Sequence, residues 1–484
     1  MSRIIYIIIL GIIISHYSLQ SQNTTFDHVF TNPLNEVVKD IYEADNGDIF
    51  IAGFRSKANE FWGKTSGLLY KLDKEGNILD SLIQPVSNRR YCFEHIIPLQ
   101  EDSLLLLGYT SDTIREYIGC NNCQLTFQKI TNTFDSVSSK SYAIPSSYQW
   151  AYSRTAKGLN DITLIGITYM IDYQFKFMFY VLTPELDSII ARDYSDMPRC
   201  CGPIKHLKDS TYWICDENRY NYYCLNNELI LTEYITARPH NLDSPMGLKW
   251  DTDTSFYMTG EWNGGNEHDI GLYKQIHPID STNSIFKSWG TDKLDIPALS
   301  AIDFRHKDSI FTGGTSPYWF YYGNFASWYY VLQTDSNLNI RWERFYGGDA
   351  YYMMQKIVAS NDGGCIIAGT RYDYQNTSEE ELDIHILKLN SEGLLVGTAE
   401  EPTIEMREAL VFPNPGTNHL KVRIAAHYKE SIFELYDIGG KIVLSEQIIG
   451  KWGEVNTVAL KSGTYVYRIY NEEGLFESGK WLKQ

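Results

Sequence analysis

Ile41-Tyr-Glu-Ala-Asp-Asn-Gly-Asp-Ile-Phe-Ile-Ala-Gly53 sets the architecture of this chain. It reads as a strand, an Asp-Asn-Gly turn and a second, almost wholly apolar strand that stops on glycine, the pattern of a β-hairpin. The pattern returns without a gap from Ile96 to Gly108 (IIPLQEDSLLLLG) and from Ile357 to Gly369 (IVASNDGGCIIAG), and in weaker form at 154–166, 204–216, 248–260 and 302–314. Successive end points lie 55, 58, 50, 44, 54 and 55 residues apart. After each hairpin come a loop of variable length and a third apolar strand with its own turn. Examples are LLYKLDKEGNIL from Leu68, YYVLQTDSNLNI from Tyr329 and HILKLNSEGLL from His385. A more variable fourth strand follows, as in Ile340-Arg-Trp-Glu-Arg-Phe-Tyr346.

Seven such copies with four short strands each predict an all-β chain whose residues 22–396 form a seven-bladed β-propeller. A four-stranded sheet has two faces to bury, and radial stacking buries both. The 36 Tyr, 21 Phe and 11 Trp suit wedges packed face to face. No stretch of useful length carries helical periodicity. The seventh copy lacks a clear fourth strand, but Thr25-Phe-Asp-His-Val-Phe30 aligns with Arg341-Trp-Glu-Arg-Phe-Tyr346. Residues 25–30 are therefore expected to pair as the outer strand of the seventh blade, leaving no exposed seam. The repeats resemble the Asp-Gly-Gly-type propeller repeats of exported proteins of Bacteroidetes-like bacteria. The Asn361-Asp-Gly-Gly364 turn and the LKLNSEG segment carry that resemblance, which implies fold better than activity.

The two ends speak of transport. Arg3, an unbroken apolar run from Ile4 to Ile14 and a polar stretch ending at Ser21 describe a signal peptide over residues 1–21. An h-region of that length spans about 17 Å as a helix, short of the roughly 30 Å hydrocarbon core. No later apolar stretch approaches it, so no transmembrane segment is expected in the mature chain. At the other end, residues 397–404 read as a linker. Residues 405–484 then alternate apolar and polar positions between Asn-Pro-Gly, Gly-Gly and Glu-Glu-Gly turns, which predicts a small Ig-like β-sandwich of about seven strands.

The landmarks of that segment resemble the type A C-terminal sorting domain of type IX secretion. They are Pro413-Asn414-Pro415 after Phe412, Asp437 with Gly440-Lys441, Gly463 with Tyr465, and Lys480 near the end. The resemblance implies recognition by the outer-membrane translocon and removal by a sortase-like peptidase within residues 396–408. It also implies attachment of the passenger to a surface lipopolysaccharide, and a secreted or outer-membrane cell-surface location reached through the periplasm. A permanent Ig-like domain that binds something is the alternative.

Of the net charge of −18, residues 22–401 carry −19, since the tail is balanced and Arg3 lies in the leader, and this excludes a nucleic-acid footprint. Export permits disulfides. Among eight cysteines, Cys215 and Cys224 flank a short loop and form the favoured pair. Cys120-Asn-Asn-Cys123 has no second ligand pair at finger spacing, so no metal is assigned. No catalytic residue or cofactor is assigned either: Gly-x-Ser-x-Gly, HExxH and a phosphate-cradling glycine loop are all missing. Paired acids occur at Asp40/Glu43, Asp251/Asp253 and Glu379-Glu380-Glu381. Asp251-Thr-Asp-Thr-Ser255 opens like a calcium loop but carries Phe256 where such a loop needs glycine. His206, His268, His277 and His306 are scattered.

Aromatic loops offer a candidate ligand face at Trp262, Trp319 and Tyr321, suited to stacking on sugar rings or anchoring a protein. The expected function is a binding or interaction scaffold with a surface glycan or protein as ligand. The alternative is an exported hydrolase or lyase acting on polysaccharide or peptide at the channel mouth. Three or more Asp, Glu, His or Arg side chains converging across blades would favour the enzyme. Their absence beside an exposed aromatic patch would favour binding.

Overall fold

The computed structural model describes residues 24–484 apart from residues 32, 58–63, 85–88, 101, 113–122, 144–151, 172–173, 187–188, 195–203, 209–210, 216–220, 237–241, 264–267, 277–282, 292, 320–321, 377–380, 396–408, 425–429, 451 and 472–473. The expected leader, linker and sortase cut lie outside the described residues.

Residues 26–389 fold into repeated four-stranded antiparallel sheets, seven among the described residues. Six are meanders in chain order: sheet 1 (34–84), sheet 2 (89–143), sheet 3 (152–194), sheet 4 (204–236), sheet 5 (244–289) and sheet 6 (296–347). Sheet 7 takes Tyr351–Ala359, Cys365–Tyr372 and Leu382–Leu389 from its own stretch and borrows Phe26–Phe30 as its outer strand, with Val29 opposite His385. The expectation for residues 25–30 is met.

Sheets bury their faces against their neighbours all the way round. Phe50, Leu69, Phe93 and Leu106 join sheets 1 and 2, and Ile97, Phe127, Ile165 and Tyr180 join sheets 2 and 3. At the closing point Phe26, Ile41 and Ile51 share a cluster with Ile366, Ile384 and Ile386, so sheet 7 packs on sheet 1. The first strands of sheets 1, 2, 3, 5, 6 and 7 line a common cavity.

The glycine that closes the repeat has a steric cause. Opposite it the first strand bulges, between Val38 and Asp40 in sheet 1, Phe93 and His95 in sheet 2, and Met354 and Lys356 in sheet 7. A Cβ on Gly53, Gly108 or Gly369 would sit 2.0, 2.6 or 2.5 Å from the carbonyl oxygen of Val37, Cys92 or Met353. Any side chain there would push the first strand away. The bulge also re-aims the residue that follows it. Asp40, His95 and Lys356 thus occupy one register position in three adjacent sheets, opposite Ala52, Leu107 and Ala368.

The favoured disulfide is corrected. Cys215 and Cys224 are buried thiols, not a bridge. Cys215 stands opposite Tyr222 and Cys224 opposite Trp213, so the two sulfurs are diagonal neighbours on their ladder. Diagonal Cβ atoms lie roughly 7 Å apart, beyond the ~4 Å a disulfide needs.

Residues 409–484 form two further antiparallel sheets. One holds Ala409–Phe412, His419–Ile424 and Trp452–Asn456; the other holds Ile442–Ile449, Glu430–Tyr436, Gly463–Asn471 and Gly474–Lys483, in that spatial order. Both close on one core that includes Leu420, Phe433, Leu435, Val455 and Trp481.

Candidate functional site

Where the first strands meet lies a cavity of about 420 Å³. His95 and Lys356, which follow bulges, line its wall with Glu43, Lys249, Asp303 and Arg305, and Asp40 lies buried behind them. Asp40 is 3% exposed, and its oxygens collect groups from three sheets. Oδ1 accepts the N–H of Ile41 at 2.8 Å and pairs with Lys356 of sheet 7; Oδ2 accepts the N–H of Ile96 of sheet 2 at 2.8 Å. His95 Nδ1 stands 3.7 Å from Oδ2, while its Nε2 lies 3.1 Å from both the carbonyl oxygen and Oγ of Ser153 on sheet 3. Burial alone would raise the Asp40 carboxyl, but Lys356 and His95 together outweigh it and hold the group at about 2.

A second knot joins sheets 6, 7 and 1. Glu43 accepts Ser360 Oγ at 2.8 Å and the N–H of Asn361 at 2.6 Å, and pairs with Lys388 at 3.2 Å and Arg305 at 3.7 Å. Asp303 repeats the device: it pairs with Lys249 of sheet 5 and accepts the N–H of Ala359 of sheet 7 at 2.8 Å. Each carboxylate is therefore an inter-sheet fastener. Donor capacity toward the cavity remains with Lys249, Lys356 and Arg305, and Arg154 lines the same wall. The arrangement suits a polar ligand bearing an anionic group.

The convergence set as the mark of an enzyme is present in Asp40, Glu43, His95 and Arg305. Sequence analysis singled out Asp40 and Glu43 as a pair of acids but missed His95, Lys356, Asp303 and Lys249. Repeat alignment carried the signal, because Asp40, His95 and Lys356 each precede the isoleucine that opens a gap-free copy.

The described candidate aromatics differ in their surroundings. Trp262 packs against Phe286 in the core between sheets 4 and 5. Trp319 is 54% exposed, with its backbone N–H and carbonyl both bonded to the Tyr351 hydroxyl. Tyr321 lies outside the described residues. Trp328, Tyr329 and Tyr330 are buried. His206 stacks on Tyr212, His268 pairs with Glu261 and His306 lies 3.7 Å from Asp308; none of them reaches the cavity wall. His277 lies outside the described residues. Asp251–Ser255 is a hairpin turn held by Thr252 and Ser255.

In the terminal module the sorting landmarks serve as joints. Asn414, between Pro413 and Pro415, accepts the N–H of Leu482 at 2.9 Å and donates to the carbonyl of Lys480 at 2.8 Å. The Trp481 indole donates to Pro413 at 2.7 Å, so the first turn is clipped to the last strand. Asp437 Oδ1 accepts the N–H groups of Gly439 and Lys441, each at 2.9 Å, across a turn in which Gly440 takes φ +81°. Gly463 (φ +155°) opens the strand on which Tyr465 stands, and Tyr465 packs against Trp481.

Residues 410–484 match the secretion system C-terminal sorting domain. This domain marks the chain for the outer-membrane surface or beyond and for contact with the type IX machinery. No curated protein matches the chain. Among solved structures, a catalytically inactive virginiamycin B lyase from Staphylococcus aureus with quinupristin is similar at 13% identity (TM-score 0.43, covering 75% of this chain and 99% of that one). A fungal alcohol oxidase in complex with copper is similar at 10% identity (TM-score 0.46, 96% and 100%), and a polysaccharide lyase at 9% (TM-score 0.41, 73% and 90%).

Proposed function

We propose that this chain is an exported seven-bladed β-propeller that acts as a binding and interaction scaffold at the cell surface or beyond. In this reading residues 1–21 are the leader and 22–396 the ring. Residues 397–404 are the linker, and 405–484 are an Ig-like sandwich read by the type IX translocon, cut off by a sortase and exchanged for lipopolysaccharide. The observation that carries the scaffold reading is that the channel carboxylates are already engaged. Asp40 is held ionised by Lys356 and His95 and accepts two backbone N–H groups, which suits a fastener and not a proton-transfer group working near neutral pH. The ligand, a surface glycan or a protein segment, would sit at the channel mouth with a carboxylate or sulfate toward Arg154, Lys249 and Arg305. Glycan-array and peptide-array binding by the full chain tests this: the parent retains acidic ligands, and Arg154→Ala with Lys249→Ala loses them. Binding unchanged in that variant contradicts it.

One observation favours the hydrolase alternative. Ser153, His95 and Asp40 stand in line from three sheets, as a nucleophile, a base and its orienting carboxylate do. A fluorophosphonate probe discriminates the two readings. Labelling at Ser153, abolished by His95→Asn, supports hydrolysis; an unlabelled chain that still binds an acidic ligand supports the scaffold.

A further inference from the structure

The terminal module does not stand clear of the ring. Phe412, immediately before the Pro-Asn-Pro turn, stacks on Phe345 of the outer strand of sheet 6, with centroids 3.8 Å apart and planes at 18°. It is 3% exposed and belongs to one buried cluster with Ile270 of sheet 5 and Trp328, Tyr330 and Leu332 of sheet 6, with Trp289 and Trp452 packed at the margin. Charge reinforces the aromatic contact. Glu343 is 7% exposed; it receives the Tyr330 hydroxyl at 2.7 Å and pairs with Arg423 of the module. The Lys421 ammonium lies 4.5 Å from the centre of the Trp328 ring.

We infer that sheets 5 and 6 form a socket for the chain's own sorting module, so that cutting the linker does not by itself release it. The occupant is specified by chemistry on both sides. An aromatic slot lined by Trp328 and Phe345 takes Phe412, and a carboxylate shut away from water takes the guanidinium of Arg423. A buried acid left without its cation is costly, and a stacked, desolvated ring is the kind of anchor that dominates an interface. Covalent linkage raises the effective concentration of the module, but the socket holds it through its own contacts. The three-stranded sheet thus faces the ring, and the Asp437–Lys441 turn faces away: Ile438, within it, is 88% exposed. For its biological meaning the inference rests on the export reading; the experiment below needs only the folded chain.

A site for a specific protease is placed within residues 397–404 of the full chain, and the folded protein is cut and passed over a sizing column. The expected result is that residues 409–484 co-elute with the ring after cutting. Arg423→Glu should weaken retention at least about 30-fold, and Glu343→Arg in the same chain should restore it. A synthetic peptide of residues 409–424 should displace the module from cut parent protein, a measurement that does not depend on any variant folding. Immediate separation of the cut parent overturns the inference. Retention indifferent to both the charge reversal and the peptide overturns the socket. Unimpaired export of a chain lacking residues 409–484 in the native host would refute the sorting reading while leaving the docking result untouched.

Discussion

At Asp40 two carboxylate oxygens serve sheets 1, 2, 3 and 7, directly or through His95, and the consequence can be measured. Its pKa is lowered in the folded chain, so the stabilisation is complete above the ordinary carboxyl value and fades as pH falls from about 4 toward 2. Asp40→Asn should cost about 2 kcal/mol or more at pH 7. Denaturant unfolding of variant and parent should converge near pH 2; a gap independent of pH would show that the ion pair is not the source. Asp295 works in the opposite sense. Burial pushes it up to about 7, against hydrogen bonds from Ser316 and Thr291, with the Asp269 charge adding to the rise. Between pH 4 and 7 the folded chain keeps a proton that the unfolded chain has lost, so stability declines across that window. Asp295→Asn should remove a decline of a few kcal/mol; identical pH profiles for the two proteins would contradict this. Gly53→Ala places a methyl 2.0 Å from the Val37 carbonyl and should destabilise by about 2 kcal/mol, read by chemical denaturation.

Among the elements, the closing strand Phe26–Phe30 is the one whose loss should matter most. Its Asp27 meets His385 Nε2 at 2.6 Å, and that ring stacks on Tyr329 of sheet 6, so one short strand joins the seam to two sheets. Deleting residues 25–30 should lower the melting temperature by several degrees or more, since it bares the edge of Leu382–Leu389 and uncovers the cluster around Phe26. A melt unchanged by the deletion would mean the seam is sealed otherwise. Elements of this kind were legible in the sequence because alternation and turn residues are local. The hairpin at 41–53, the third strand from Leu68 and the closing strand are each legible within thirteen residues or fewer. The meeting of Asp40 with His95 was not legible, because the two are 55 residues apart and come together only through the repeat's register. The Cys215 and Cys224 bridge failed for a related reason: nearness along the chain said nothing of the two-residue offset that the ladder imposes.

The whole molecule combines a ring fastened from the inside by charged residues with a small two-sheet module seated on its rim. The sorting match covers only the module, and the ligand proposed for the ring would meet Arg154, Lys249 and Arg305 at the cavity wall. The landmarks Pro413 to Pro415 and Asp437 to Lys441 were legible as motifs, whereas the clip from the first turn to the last strand joins residues more than sixty positions apart and leaves no local signal. Phe412 gave no sign that it would meet Phe345, since both read as ordinary strand residues in separate domains.

Ring closure is the property on which the scaffold, the channel and the socket all depend. Hydrogen exchange of the full chain, followed by mass spectrometry, addresses it with least intervention. Amides of residues 26–30 and 382–389 should be protected alike, on the same timescale as the central strand Ile49–Lys57. Rapid exchange of residues 26–30 beside slow exchange of 365–372 would contradict a sealed ring.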